Sequence, residues 1–350
     1  MKQYISRLLP LFFLLALLFP SKSYSGPSNP DEPFDPAKMI LSHIYDSHEW
    51  HLWGDVSIPL PIILFHEGEG LKIFSSSKFK HGTVDYKAYR YDNELQKIIC
   101  VGPEGMVDTT ESAKIWDFSI TKNVASLLFS FFVLCFILTS VARTYTRKPN
   151  TPPKGIQAFI EPLIIFVRDD IAKSAIGEQS YKKYLPFLLT IFFFIAFNNL
   201  LGLVPIFPGG ANLTGNIAVA MVMAAIVFII TTLSGTKYYW KHIFAMPGVP
   251  KPVLLILTPI EIIGVILKPF VLMIRLFANI TAGHIIILSF FSLIFIFGDL
   301  MGPAAGYGVS VASVLFVLFM MTLEILVAFL QAYVFTLLSA MYFGMALEQH

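Results

Sequence analysis

The chain has 350 residues, of which 55% are hydrophobic and only 14% are charged, and its formal net charge is +2. This composition is typical of a membrane protein. The small net charge gives no reason to expect a nucleic-acid partner. The two cysteines, Cys100 and Cys135, are predicted to be isolated thiols, because their spacing fits neither a disulfide framework nor a metal site.

The first 115 residues are predicted to lie outside the cytoplasm. Residues 1–25 are typical of a secretory signal peptide, with a basic start, an apolar core and a small-x-small cleavage site. Residues 26–115 form a polar N-terminal region with β-prone stretches at 58–65 and 71–74. Three histidines within 42–51 could bind a metal, but their spacing matches no standard site. An interfacial helix with aromatic anchors is the favoured interpretation of that segment, and no cofactor is expected.

Residues 116–350 are predicted to form a membrane domain with about five transmembrane helices. The candidate spans are the apolar runs 124–142, 184–204, 217–233, 253–297 and 307–346. A further stretch, 155–177, carries too many charges to cross a bilayer. It predicts an amphipathic helix on the cytoplasmic surface.

The orientation follows from the basic residues beside these spans. Several flank the first three spans on one side: Arg143, Arg147, Lys148, Lys154, Lys182, Lys183, Lys237, Lys241 and Lys251. The loops 207–216 and 298–308 on the other side contain none. The positive-inside rule therefore predicts a periplasmic N-terminal region and a cytoplasmic C-terminus.

The last two apolar runs are too long for simple spans. Each would be roughly 60–65 Å long as a helix, whereas the hydrocarbon core is about 30 Å thick. Either the helices break, with Pro259 and Pro269 as candidate points, or the pair lies steeply inclined. Two overlong runs of matched length favour the second alternative. The predicted fold class is thus an all-α polytopic membrane protein with a strongly tilted C-terminal hairpin and a small extracytoplasmic N-terminal region.

Arg275 lies deep in the first of these long runs. A charge at the bilayer centre costs roughly 2.5–3.5 kcal/mol on insertion scales, so we expect a functional reason for it. Its guanidinium stays protonated and can attract a carboxylate or block a cation, but it cannot pass a proton on. His284 can, and Asn279 shares the helix face of Arg275. Snorkelling of Arg275 to the interface is the alternative.

Folding the chain about Pro303–Ala304 places Arg275 opposite Gln331 and His284 opposite Glu324. The alternative is that these residues only bind the two helices together by hydrogen bonds. In the other direction Lys268 and Glu261 follow at seven-residue intervals, although Lys268 could also snorkel. The pattern indicates two polar approaches that are separated by a permanent cation.

The run from Arg275 to His284, Arg-Leu-Phe-Ala-Asn-Ile-Thr-Ala-Gly-His, is followed by Glu324 and Gln331 in the last run. This pair of motifs closely resembles subunit a of F-type ATP synthase, over roughly residues 115–350. The resemblance implies that a tilted hairpin faces a rotating c-ring and that Arg275 meets the carboxylate of the ring. It assigns the remaining polar positions to the ion pathway: Gln331 beside Arg275, Asn279, His284, Glu324 and Asn216 on the outer side, and Glu261 and Lys268 on the inner side.

The resemblance further implies a non-catalytic stator subunit of the Fo sector that provides two proton half-channels, in the inner membrane of a bacterium. Its partners would be the c-ring subunits, subunit b of the stator stalk, the remainder of the F1Fo ATP synthase and membrane lipid. Asn199 and Pro205 fit the pattern of the second span, whereas Gly202 and Thr214 stand where some members carry acids. A secondary ion transporter with an intramembrane Arg/Glu/His relay stays an alternative. A membrane metalloprotease would need a motif such as His-Glu-x-x-His, which is absent.

Overall fold

The computed structural model of the chain describes residues 35–53, 56–80, 82–92, 97–102, 105–147, 152–204, 208–246 and 248–348. The predicted signal peptide, Lys148 and Pro205 lie outside these ranges.

The described part of the N-terminal region begins with one helix and continues as short antiparallel strands. Helix α1 is Pro36–Ile44, and the strands are β1 Glu49–Trp53, β2 Val56–Pro59, β3 Pro61–His66, β4 Gly70–Ser75, β5 Tyr89–Asp92, β6 Lys97–Val101, β7 Val107–Asp108 and β8 Ile115–Asp117, with the short helix α2 Thr109–Ser112 between β7 and β8. They pair in the orders β1-β2, β4-β3-β8 and β5-β6-β7. The strands β3 and β4 confirm the two β-prone stretches.

The prediction of an interfacial helix over residues 42–51 is wrong. Helix α1 ends at Ile44, and Glu49–Trp53 instead forms a strand that pairs with Val56–Pro59. The antiparallel pairing satisfies the backbone of this segment and leaves Trp50 only 5% exposed. Burial of a large aromatic side chain outweighs the local helical pattern here.

The membrane region is entirely helical in the described residues. Its helices are α3 Lys122–Arg147, α4 Ile156–Phe166, which continues through the π-helical turn Val167–Lys173 and through Ser174–Ile176, α5 Tyr181–Gly202, α6 Ile217–Ser234, α7 Lys237–Phe244, α8 Lys251–Met301 and α9 Pro303–Leu347. Five of them, α3, α5, α6, α8 and α9, are long and apolar enough to cross a membrane. The chain is therefore a polytopic membrane protein with an all-α membrane region and a small N-terminal region, as predicted.

The charged segment 155–177 is a helix, as predicted, but its apolar face packs on protein. Val167 and Ile171 are fully buried against the membrane helices. At the far end of the segment, a Cβ on Gly344 of α9 would collide with the carbonyl oxygen of Ala175. The charged side faces outward, where Asp169 pairs with its neighbours Arg168 and Lys173.

The two long helices form a continuous hairpin. Helix α8 has 51 residues and passes through Pro259 and Pro269 without ending, so the predicted alternative of a broken helix is not observed. The turn is Gly302, whose φ of 87° favours glycine. Phe290 stacks on Phe316 with ring centroids 5.2 Å apart, which confirms the predicted fold-back point. A helix of about 77 Å fits a core of about 30 Å only when it is strongly inclined.

Contacts at the two ends of the helical bundle show where the N-terminal region lies relative to the basic residues. At one end, the backbone N–H of Thr236 donates to the carbonyl of Ala346 at 3.0 Å, which joins the start of α7 to the end of α9. We call this the basic end, because Arg143, Lys182 and Lys237 lie beside the helix termini there. At the opposite end, Trp50 Nε1 donates to the carbonyl of Gly209, in the loop between α5 and α6, at 3.1 Å. The N-terminal region thus sits on the end opposite the basic residues.

Candidate ion-translocation site

Arg275 lies near the middle of α8 and its side chain is exposed on the surface of the chain. Its neighbours Leu272 and Leu276 on the same helix are fully buried in the bundle core. Beside the arginine on the outer face, Val271 and Ile274 are 49% and 42% exposed. Within the described part of the chain, Arg275 makes neither an ion pair nor a hydrogen bond. A permanent cation therefore stands unpaired on an apolar surface.

Helix α9 extends this apolar surface. Leu323, Leu326 and Leu330 are 39%, 64% and 53% exposed, respectively. We call the exposed apolar side chains of both helices around Arg275 the hairpin face. A large exposed apolar patch marks an interaction site or contact with lipid. Because an unpaired charge in an apolar setting is unfavourable, a partner on this face needs an anionic group.

Gln331 is hydrogen-bonded to Asn279 rather than to Arg275. The Asn279 Nδ2 group donates to Gln331 Oε1 at 2.9 Å. Gln331 is 3% exposed, and its Nε2 has no hydrogen-bond partner among the residues that the structure describes. The predicted register thus brings Gln331 to the arginine segment, one helical turn further along α8 than Arg275.

Glu324 packs directly against Gly283, the neighbour of His284. A Cβ at position 283 would collide with the Glu324 carboxylate. Glu324 is 6% exposed, and in the described ranges neither of its carboxylate oxygens has a hydrogen-bond partner. The hairpin therefore places Glu324 against the sequence neighbour of His284, and no hydrogen bond joins the two side chains among the described residues. A buried carboxyl group without protein partners is suited to exchange protons with water.

A hydrogen-bonded network holds the neighbouring helices in place around this pair. Asn199 of α5 donates to the carbonyl of Ala328 in α9 at 3.2 Å, and it accepts from the hydroxyl of Thr214 at 2.6 Å. The Thr281 hydroxyl of α8 donates to the carbonyl of Gly215 at 3.3 Å. These bonds bring the loop before α6 against the 279–284 segment.

Asn216 follows this loop directly and caps α6, because its side chain accepts from the backbone N–H of Ala218 at 2.9 Å. The side chain therefore stabilises the start of α6, while the second lone pair of its oxygen and its amide N–H groups can still face a pathway.

Toward the basic end, the polar groups of α8 have protein neighbours. Lys268 Nζ lies 5.7 Å from the ring centroid of Tyr342, in cation–π geometry. Glu261 acts electrostatically on both Lys268 and Tyr239. Burial, and then the Glu261 carboxylate, raise the pKa of Tyr239. Glu261 lies about 20 Å from Arg275 along the helix axis.

Sequence reasoning missed two residues that the structure places at the site. Gly283 leaves the space that Glu324 occupies. Lys122, the first residue of α3, is only 9% exposed, and its ammonium acts electrostatically on His284. A signal for Lys122 was present in the sequence, because a lysine at the non-basic end of a span departs from the positive-inside pattern.

Comparison with known proteins relates both parts of the chain to families. The family model described as ATP synthase A chain matches residues 124–344, and a Domain of unknown function (DUF8433) matches residues 39–118. The chain is 43% identical over 241 residues to ATP synthase subunit a of Chloroherpeton thalassium, which covers 67% of this chain and 69% of that protein.

Two further relatives are similar. ATP synthase subunit a 2 of Chlorobaculum tepidum is 45% identical over 239 residues, 66% of this chain and 64% of the relative. ATP synthase subunit a of Anaeromyxobacter sp. is 38% identical over 242 residues, 67% of this chain and 56% of the relative. The chain thus spans 64% and 56% of the length of these two relatives, which is less than two thirds of each. The extent of the family match shows that the chain belongs to the ATP synthase A chain family.

Proposed function

We propose that this chain is the stator subunit a of the Fo sector of an F-type ATP synthase. In this role it couples a transmembrane proton flow to rotation of a c-ring. The observation that carries the proposal is the unpaired Arg275 at the centre of the exposed hairpin face. Such a surface needs a membrane-embedded partner with an anionic group, and a carboxylate on each ring subunit supplies one.

Protons reach the ring from the outer side through a half-channel lined by Asn216, Asn279, His284 and Glu324. They neutralise a ring carboxylate, which can then rotate through lipid, where a charged form is prohibitively costly. The unpartnered oxygens of Glu324 support this assignment, because a proton relay has to exchange with water or with the ring.

After nearly a full turn, the carboxylate loses its proton to an inner half-channel near Glu261 and Lys268. Arg275, with Gln331 and Asn279 behind it, attracts the anion and prevents a direct passage between the two half-channels. One elementary charge that moves down 100 mV releases about 2.3 kcal/mol, so several are needed for each ATP. The chemistry of ATP lies elsewhere in the complex, and this subunit is not catalytic alone.

The proposed location is the inner membrane of a bacterium, with the N-terminal region periplasmic and the C-terminus cytoplasmic. The supporting observation is that Arg143, Arg147 and Lys182 lie at the end where α9 terminates. The proposed partners are the c-ring subunits, subunit b and the remainder of the F1Fo complex, together with lipid.

The direct test is Arg275→Ala in the complete synthase, reconstituted into vesicles. We expect coupled ATP synthesis to disappear and passive proton leak to rise, because no fixed cation separates the half-channels. Arg143→Ala, an exposed arginine at the basic end, is the matched control and should synthesise ATP normally. Normal ATP-driven proton pumping by Arg275→Ala would contradict the proposal. If the protein purifies without a ring of small hairpin subunits, a secondary transporter becomes the better account.

A further inference from the structure

Lys122 is a buried lysine that the mechanism above does not use. It opens helix α3, it is 9% exposed, and its Nζ donates to the carbonyl of Tyr45 at 3.4 Å. Burying an ammonium group is unfavourable unless it is paired or close to water. Its position therefore requires a compensating charge or a hydrated surrounding.

The N-terminal region surrounds this lysine through specific contacts. The backbone N–H of Lys122 donates to the carbonyl of Ser47 at 2.8 Å. The next N–H, that of Asn123, donates to the Asp46 carboxylate at 3.0 Å. In addition, Trp50 donates to Gly209, and α1 packs against α8. The region that matches a family of unknown function is thus bound to three parts of the membrane domain.

Charged groups of the N-terminal region and of the membrane helices meet at this junction. The Lys122 ammonium lies within electrostatic range of the Asp46 carboxylate and of the His284 imidazole. His284 is flanked on its α9 side by Glu324, which packs on Gly283. Electrostatic coupling therefore joins Asp46 of the N-terminal region, Lys122 at the start of α3 and His284 of α8.

Further titratable groups surround Asp46 on the other side. Burial, followed by the carboxylates of Asp46, Glu49, Asp117 and Asp92, raises the pKa of Tyr91. His48, which is 7% exposed, donates from Nε2 to Asp117 at 3.3 Å.

Several buried polar atoms around this junction lack a protein partner within the described ranges: His48 Nδ1, Asn123 Oδ1, Asn212 Nδ2 and both carboxylate oxygens of Glu324. Buried polar groups are normally satisfied by protein or by ordered water. These atoms extend from the base of the N-terminal region to Glu324 beside the 283–284 segment, and such a set is typical of a hydrated route.

We propose that protons reach His284 through the base of the N-terminal region, past Asp46 and Lys122, and that this pair sets the outer pH at which the pathway loads. The inference rests on the proposed function. It adds that the N-terminal region is part of the outer half-channel and that Lys122 is a positioning residue, which acts on the proton through the local potential.

The sign of the effect differs for the two partners. Lys122→Met leaves the Asp46 carboxylate uncompensated, which attracts protons to the pathway, so the outer-pH profile of ATP synthesis shifts to higher pH. Asp46→Asn leaves the ammonium uncompensated, and the profile shifts to lower pH. A unit charge at this range shifts such a profile on the order of one pH unit. Lys122→Arg, which keeps the charge, should retain the wild-type profile.

The experiment uses the complete synthase in vesicles, with the inner pH and the membrane potential fixed while the outer pH is varied. Opposite shifts for the two single variants and a near wild-type profile for the double variant are expected. Unshifted profiles, or shifts in the same direction, would overturn the inference, because a purely structural role predicts a loss of rate without opposite shifts. Loss of coupling in Arg275→Ala beside unshifted profiles here would reject only this inference, whereas normal pumping by Arg275→Ala would reject the proposed function itself.

A labelling measurement covers the case in which the charge variants do not assemble. In a chain with Cys100→Ser and Cys135→Ser, a membrane-impermeant thiol reagent is added from the outer side to a Ser47→Cys variant. Ser47 lies beside the pair through its bond to Lys122. Reagent-dependent loss of ATP synthesis is expected, and full activity after complete labelling would overturn the proposed route.

Discussion

The two polar approaches to Arg275 differ in how far the protein satisfies them. Toward the N-terminal region, the oxygens of Glu324 and the Nε2 of Gln331 have no hydrogen-bond partner in the part of the chain that the structure describes. Toward the basic end, Lys268 lies over the ring of Tyr342 and is close to Glu261. The buried polar groups of the outer approach therefore need water or a partner, whereas Lys268 of the inner approach already has an aromatic neighbour. A single substitution in the outer approach should therefore reduce coupled ATP synthesis more than one in the inner approach.

After loss of Arg275, the largest fall in coupled ATP synthesis is expected from substitutions of His284 and Glu324. His284→Glu and Glu324→His, made singly, each place two like groups side by side, and coupled synthesis should fall about a hundredfold, in the range of a lost proton-transfer group. The double exchange restores one acid and one imidazole and should retain more activity than either single variant. The measurement is ATP synthesis by reconstituted complex. A double variant as damaged as the singles would argue against a partnership.

A second, smaller effect is expected at Gly283, because the structure leaves no room for a Cβ beside Glu324. Overpacking of this kind costs about 1–3 kcal/mol, so Gly283→Ala should reduce proton pumping about tenfold by displacing the carboxylate. Gly264→Ala, on the same helix with open space around it, is the control. Equal activity of the two variants would show that the position of Glu324 against α8 is unimportant.

The Asn279–Gln331 hydrogen bond should contribute less. Side-chain hydrogen bonds within membrane domains average about 0.6 kcal/mol, equivalent to about a threefold change. Asn279→Ala, Gln331→Ala and the double variant form a cycle, and we expect the double variant to lose less rate than the product of the two single losses. Strict multiplicativity in pumping assays would mean that the bond does not position the arginine segment.

The smallest expected effect concerns Asp117, at the base of the N-terminal region. Burial opposes its charge, but hydrogen bonds from His48 and Ser119 outweigh this and hold its pKa below 3.8. A lowered pKa stabilises the fold above the unfolded value, and this contribution is lost as the pH falls through the folded value.

Asp117→Asn should therefore destabilise the N-terminal region at neutral pH by roughly 0.5–1 kcal/mol, discounted for partial exposure. The difference from wild type should shrink as the pH falls through the lowered folded-state pKa of Asp117. Hydrogen exchange of strand β8 in the solubilised complex measures this difference in stability. A difference between Asp117→Asn and wild type that grows in acid would contradict the prediction.

Sequence reasoning predicted the hairpin well because its signals are physical and local. Two apolar runs of matched length on either side of Gly302 leave few other arrangements, and the register follows from the turn. The predicted register placed Gln331 opposite Arg275, whereas in the structure the side chain of Gln331 accepts a hydrogen bond from Asn279. An offset of one turn depends on how the helices cross, which the spacing of residues does not specify.

The N-terminal region was harder to predict. Residues 49–53 form a strand instead of the predicted helix, because Trp50 is buried against a loop 159 positions away in the chain. The positive-inside pattern marked Lys122 as unusual, but its neighbours could not be predicted, since Tyr45, Asp46 and His284 come from distant parts of the sequence.

The most direct test asks what covers the hairpin face beside Arg275. A photoactivatable thiol cross-linker is attached to Ile274→Cys in a chain with Cys100→Ser and Cys135→Ser. Met221→Cys serves as the control, because Met221 is 54% exposed on α6. We expect a cross-link from position 274 to a small membrane subunit that carries an intramembrane carboxylate, and none from position 221. Cross-links from position 274 to lipid alone, in the active complex, would contradict it.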